Sequence, residues 1–132
     1  MRIARARRLA PAVAVALAAA CAHAPPPAEP AHRPAPGEVG LASYYGTEFH
    51  GRRTASGARY DERALTCAHP TAPFGTRLRV TDLETGRSVV VTVNDRGPYA
   101  KGRVVDLSLA AARKLGMVER GLVRVRVERA PE

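Results

Sequence analysis

From Arg77 to Leu83 the chain reads RLRVTDL, with apolar and polar side chains in alternation. After Glu84–Gly86 the alternation resumes in RSVVVTVND, where Val89, Val91 and Val93 share one face and Ser88, Val90 and Thr92 share the other. A period of two sends one set inward and the other outward, so the two runs and their glycine-bearing turn predict a β-hairpin. LVRVRVER, from Leu122 to Arg129, alternates valine with charge and predicts a half-buried strand. Gly40–Gly46 and Val104–Ser108 are shorter strand candidates. One segment has a helical pattern instead. Ser108 can cap it, LAAARKL makes about two turns, Arg113 and Lys114 sit in the last turn where cations are favoured, and Gly116 ends it. Short strands, glycine turns and one short helix predict a small closed barrel. With 5% aromatic residues and no Trp, its core must be mostly Val, Leu and Ala.

The same patterning divides the chain. Met1–Cys21 has four arginines, then an apolar stretch of about twelve residues, too short to span a bilayer. It closes on LAAAC, which predicts a lipoprotein-type signal with lipidation at Cys21; simple cleavage without lipid is the alternative. Residues 22–36 carry six prolines and no large apolar side chain, an extended tether of about 40 Å at most. Residues 37–132 then form one domain. Four of the 21 basic residues lie in the signal and none of the 12 acidic ones does, so the remainder holds 17 against 12, or +5. That balance suits an anionic polymer or membrane surface. No nucleic-acid motif accompanies it, so no nucleic-acid partner is expected. Cys67 is left without a partner once Cys21 is acylated, which excludes a disulfide framework.

The run VNDRGPYAKGRVVDLS, Val93–Ser108, places two carboxylates, Asp95 and Asp106, at or near the ends of two predicted strands. Asp95 is either a reacting group or a turn residue accepting backbone N–H bonds before Gly97-Pro98. Asp106 is either its neighbour in a site or a fixture of the helix entry. His69 either hydrogen-bonds substrate or Asp95, or packs beside Pro70 with one nitrogen on the backbone. Tyr44 and Tyr45 point to opposite sides of a strand, so at most one faces a groove. Tyr99, beside the DRGP bend, is the better aromatic for stacking on a sugar. Arg52, Arg53, Arg59 and Lys101 are candidates for a groove rim. A Cys67–His69 nucleophile pair lacks any surrounding signature, and the spacing of His50, Cys67 and His69 matches no metal-site pattern, so neither metal nor cofactor is expected.

Taken together, ASYYG, FHGRRTASG, ALTCAH, PFGT, VNDRGPY and GRVVDLS resemble the double-psi β-barrel domain of the rare lipoprotein A (RlpA) family over Gly40–Glu128. The resemblance implies a mainly β fold, a six-stranded double-psi barrel with one or two short helices. It implies an endolytic lytic transglycosylase that cuts the MurNAc–GlcNAc β-1,4 bond of stem-peptide-poor peptidoglycan strands and leaves a 1,6-anhydro end. It also implies an exported, periplasmic monomer anchored to the outer membrane through lipid on Cys21. The family's chemical positions fall on Asp95 and His69. Beside them this sequence offers Asp106 as a second candidate carboxylate, and Tyr45, Thr54, Ser56, Arg96, Tyr99 and Lys101 as candidate substrate contacts. Arg96 is expected to turn its guanidinium away from Asp95. A glutamate usually follows TASG, but Ala58 stands there; Asp61 and Glu62 lie a few residues on. That departure sustains the alternative of a non-catalytic, expansin-like glycan-binding module. Lytic cleavage nevertheless needs only one carboxyl. The sugar's own C6 hydroxyl attacks C1, and one group can protonate the leaving oxygen and accept the hydroxyl's proton, where a hydrolase uses two carboxylates.

Overall fold

Valine at alternate positions sets the barrel. The computed structural model describes residues 37–131, so the expected signal, Cys21 and the proline tether lie outside the described residues. Six strands run in chain order: β1 (Glu38–Tyr44), β2 (Thr66–Ala68), β3 (Arg77–Asp82), β4 (Ser88–Asp95), β5 (Arg103–Leu107) and β6 (Val123–Arg129). A 3-10 turn, Thr47–Phe49, follows β1, and helix α1, Leu109–Leu115, joins β5 to β6. The strands close into a barrel in the order β1-β5-β2-β4-β3-β6. Two pairings, β1–β5 and β2–β4, are parallel and the other four are antiparallel. This is the mainly β architecture with short helices that the sequence predicts.

The inward rows of the alternating strands form the core. Val80, Val91, Val93, Val105, Leu107 and Val125 are fully buried with Leu115 and Met117 of the helical segment. Each such side chain contributes about 1.5–3 kcal/mol on leaving water, which is how a core almost free of aromatics holds. The helix forms as its caps predict. Ser108 accepts a bond from the Ala111 amide at 3.2 Å, and Gly116 takes the left-handed conformation, φ 73°, that ends it. Leu109, Ala111, Ala112 and Leu115 face the barrel. One predicted strand is longer at its start than expected, and one short strand has no signature in the sequence. β1 begins at Glu38, before the predicted Gly40, because its first residues pair with the end of β6. β2 has only three residues, too few to display a period, and exists because β4 and β5 flank it.

Asp82 ties the hairpin down. Its side chain is fully buried at the end of β3, where Oδ1 accepts the amides of Glu84 at 2.9 Å and Thr85 at 3.3 Å and Oδ2 accepts Arg120. Burial alone would raise the carboxyl's pKa, but the Arg120 guanidinium and the two amides outweigh it and hold the group below its ordinary value. A lowered folded-state pKa means that stability from this group is complete above the unfolded pKa, about 4, and is lost as pH falls through the folded value. Asp82→Ala should therefore cost about 2 kcal/mol at pH 7, and the gap between the two proteins in urea titrations should narrow as pH is lowered below about 4.

Candidate functional site

The smallest strand sets the geometry. Ala68 of β2 pairs with Asp95 of parallel β4 on one side and with Asp106 of antiparallel β5 on the other. Between Cys67, which pairs with Val93, and Ala68 the register shifts. That irregularity passes over Asn94 and brings Asp95 to the level of Asp106. The two aspartates thus lie one strand to either side of Ala68, roughly 10 Å apart along the sheet.

Three donors from three segments hold the Asp95 carboxyl. Oδ2 accepts the Tyr45 hydroxyl at 2.8 Å, and Oδ1 accepts the amides of Ala55 at 2.8 Å and Arg96 at 2.9 Å. Asp95 therefore does accept backbone N–H bonds as a turn residue would, while its other oxygen is engaged by a phenol. The Tyr45 ring packs against Phe49 and Tyr60, at 5.7 and 5.2 Å between centroids. Burial first, and then the bond to Asp95, push the phenol's pKa far above its ordinary value, so it stays protonated and donates. Tyr44 takes the other side of the chain and donates to the Val118 carbonyl at 2.7 Å.

The Ala55 donor belongs to a tight loop that Arg53 and Arg59 close with an isolated bridge. The Thr54 hydroxyl lies 2.9 Å from both the Ala58 carbonyl and the Ser56 hydroxyl, and the Ser56 amide bonds the Asn94 carbonyl at 3.2 Å. Thr54 and Ser56 thus shape the loop that touches Asp95. Ala58 is exposed on this same loop. The arginines of the rim reinforce it: Arg53 donates to the Gly57 carbonyl at 3.1 Å and Arg59 to that of Gly51 at 2.9 Å.

Asp106 is nearly buried and has a separate set of partners. Oδ1 accepts the Ser43 hydroxyl and the Arg103 guanidinium, which also donates to that hydroxyl. Ser43 is the register partner of Asp106 across the parallel β1–β5 pair. Ser43 escaped the reading of the sequence, since no local spacing announces a contact made through parallel pairing 63 residues apart; Arg103, three residues before Asp106 on the same strand, was within local reach and was missed.

His69 lies just past β2, with its backbone amide on the Asp95 carbonyl at 3.2 Å. Its ring goes elsewhere. Nδ1 accepts the amides of Thr71 at 3.2 Å and Ala72 at 3.0 Å, and Nε2 faces Glu38 at 3.3 Å. A nitrogen that accepts two amides carries no proton, so the proton sits on Nε2 and points to Glu38. Of the two alternatives for His69, the ring takes the one with a nitrogen on the backbone, and the imidazole–carboxyl bond to Asp95 is not made, because both ring nitrogens are engaged. Arg96 turns away from Asp95 as expected: its guanidinium bonds the carbonyls of Ala72 at 2.7 Å and His69 at 3.3 Å and covers the Phe74 ring at 4.0 Å. It braces the loop beyond β2. Tyr99, 80% exposed, and Lys101 project from the turn after Asp95. Neither Asp61 nor Glu62 bonds to Asp95 or Asp106. Asp61 accepts the Arg63 amide at 2.9 Å, and Glu62 lies against the start of α1 with Oε2 buried and unpartnered. Among the described residues no cluster of three or more His, Cys, Asp or Glu side chains is arranged to hold a metal.

The residues 37–127 match a family model described as lytic transglycolase. The protein named endolytic peptidoglycan transglycosylase RlpA from Pseudomonas aeruginosa is 57% identical over 90 residues, which cover 68% of this chain and 26% of that protein. The protein of the same name from Neisseria meningitidis is 50% identical over 91 residues, covering 69% and 38% respectively. The chain therefore matches well under half the length of these relatives. Among solved structures, the Streptomyces papain inhibitor superposes with a TM-score of 0.55 at 28% identity, over 71% of this chain and 94% of its own. An expansin from Clavibacter michiganensis in complex with cellohexaose superposes at 0.56 with 22% identity, over 70% and 50%, a likeness of fold.

Cys67 is free, buried, and one residue from the pairing that sets the site. Burial first, and then the charge of Asp106, push its thiol up to about 12. A thiol so protonated is a poor nucleophile. Ellman's reagent at pH 8 should leave Cys67 unmodified in the native protein and label it within minutes in denaturant; fast labelling of folded protein would contradict this burial.

Proposed function

The chain belongs to the lytic transglycolase family of double-psi barrels, and from that membership we propose that it is an endolytic peptidoglycan transglycosylase acting on glycan strands poor in stem peptides. The observation that carries the reading is the carboxyl of Asp95, held by Tyr45, Ala55 and Arg96 at the end of a strand and flanked by the exposed Tyr99 and Lys101. In the proposed reaction Asp95 gives a proton to the glycosidic oxygen as the C1–O bond breaks. The C6 hydroxyl of the same sugar closes on C1 to form the 1,6-anhydro ring, and its proton returns to Asp95. No water enters and no second nucleophile is needed. Asp106, paired with Arg103 and bonded by Ser43, fixes the strand wall next to the reacting sugar. His69 assists by building the loop next to Asp95. Tyr45 orients the carboxyl, Thr54 and Ser56 shape the loop over it, and Tyr99 and Lys101 meet the glycan. Arg96 contributes through its amide and its brace on the loop. The protein works as a monomer, without metal or cofactor, exported to the periplasm and tied to the outer membrane by lipid on Cys21.

A second reading is favoured by one residue. Ala58 leaves the loop beside Asp95 without the family's carboxylate, and a barrel lacking that group can bind glycan without cutting it, as an expansin-like module. Mass spectrometry of stem-free glycan strands after incubation separates the two. The enzyme yields 1,6-anhydro ends, and Asp95→Asn lowers their rate of formation at least about a hundredfold; strands bound but left whole by the unaltered protein establish the module instead. Restoring the missing carboxylate is a further check. Ala58→Glu should raise product formation about tenfold, whereas an unchanged rate would show that position 58 has no part in the chemistry.

A further inference from the structure

A depression with a cavity volume of about 360 Å³ is lined by Phe74, Thr76, Arg77, Arg129 and their neighbours, and includes neither Asp95 nor Asp106. That volume is at the small end for ligand pockets. β4, β2 and β6 end, and β3 begins, at one end of the barrel, so this depression opens at the end that carries the turn after Asp95. Arg96 joins the two places. Its amide donates to Asp95, and its guanidinium covers one face of Phe74. The depression is thus within the reach of one arginine side chain from the candidate site.

Its chemistry is specific. Phe74 is 44% exposed, unusual for a large apolar side chain in a core-forming loop. Arg77 and Arg129 come from adjacent strands with a register one residue apart, since Leu78 pairs with Arg129. Both are exposed, and neither guanidinium has a hydrogen bond or ion pair among the described residues. A one-residue offset puts the two arginines on opposite faces of their strands, but at the strand ends both border this depression. Guanidinium groups suit a carboxylate through paired N–H donors, and an aromatic ring suits the apolar face of a pyranose. We propose that this depression is a subsite for a sugar bearing a free carboxylate, the lactyl carboxylate that N-acetylmuramic acid exposes once its stem peptide is removed. The inference rests on the glycan reading above and adds the residues that distinguish stripped from substituted strands: Arg77 and Arg129 hold the carboxylate and Phe74 stacks on the ring. A stem peptide would convert that carboxylate to an amide and remove the charge that the arginines meet.

The test compares two ligands and two readouts on the full chain. Stem-free strands are used as they are or with their lactyl carboxylates amidated. In an Asp95→Asn background, which permits binding to be measured without cleavage, the acidic strands should bind about tenfold tighter than the amidated ones. Adding Arg77→Gln and Arg129→Gln should abolish that difference and leave binding of amidated strands unchanged. Equal binding of the two ligands, or a preference that survives the double substitution, overturns the subsite. The release of 1,6-anhydro ends by the unaltered protein is scored separately. Products without a carboxylate preference leave the transglycosylase reading standing and remove the subsite. A preference without products does the reverse, and neither binding nor products removes both.

Discussion

Ala68 holds the site together. Its side chain is a single methyl group, fully buried, and its backbone is shared between β4 and β5. The shift of register beside it passes over Asn94, so an acid of β4 meets the level of an acid of β5. Strand side chains alternate faces, and a slip of one residue sends the whole set to the other side. The three residues of β2 therefore decide which carboxyl groups are neighbours. A larger side chain at Ala68 would have to displace the buried wall between them.

A half-buried and a nearly buried carboxylate in one wall carry an electrostatic cost unless each is supplied with donors. The structure supplies them from different parts of the chain. Asp95 draws on the end of β1, the loop at Ala55 and its own successor; Asp106 draws on Ser43 and Arg103. Separate donor sets leave each carboxyl with its own orientation. The phenol of Tyr45, kept protonated by burial and by Asp95, belongs to that set as firmly as the acid does.

A ring of polar contacts carries this arrangement outward. Glu38 meets His69, His69 accepts the amides of its own loop, and Arg96 bonds that loop's carbonyls and covers Phe74. Asp95 is adjacent to Arg96 in the chain, so its position depends on a loop that never touches its carboxyl. The depression beside Phe74 shares the same brace. Arg96 thus stands between the Asp95 carboxyl and the depression that Arg77 and Arg129 border.

The alternation of Val89, Val91 and Val93, and of Val123, Val125 and Val127, determined strands and their inner faces by itself, because burial of one face is a local property of a period-two sequence. Ser108 and Gly116 bounded the helix for an equally local reason, since a cap is made within one turn. The position of Asp95 at a strand end was also legible, from the polar break that stops its valine run. Only the closed barrel decided the rest. β2 is too short to have a period, and its place depends on pairing with strands 26–27 and 38–40 residues away. Of the partners of Asp106, Ser43 comes from a parallel pairing that no spacing encodes, while Arg103 lies three residues back on the same strand. The His69 ring was free, in the sequence, to face Asp95; in the fold its two nitrogens go to Glu38 and to the loop at Thr71 and Ala72. Propensity and periodicity act over a few residues, whereas the direction of a polar side chain depends on which distant donors the closed barrel brings to it.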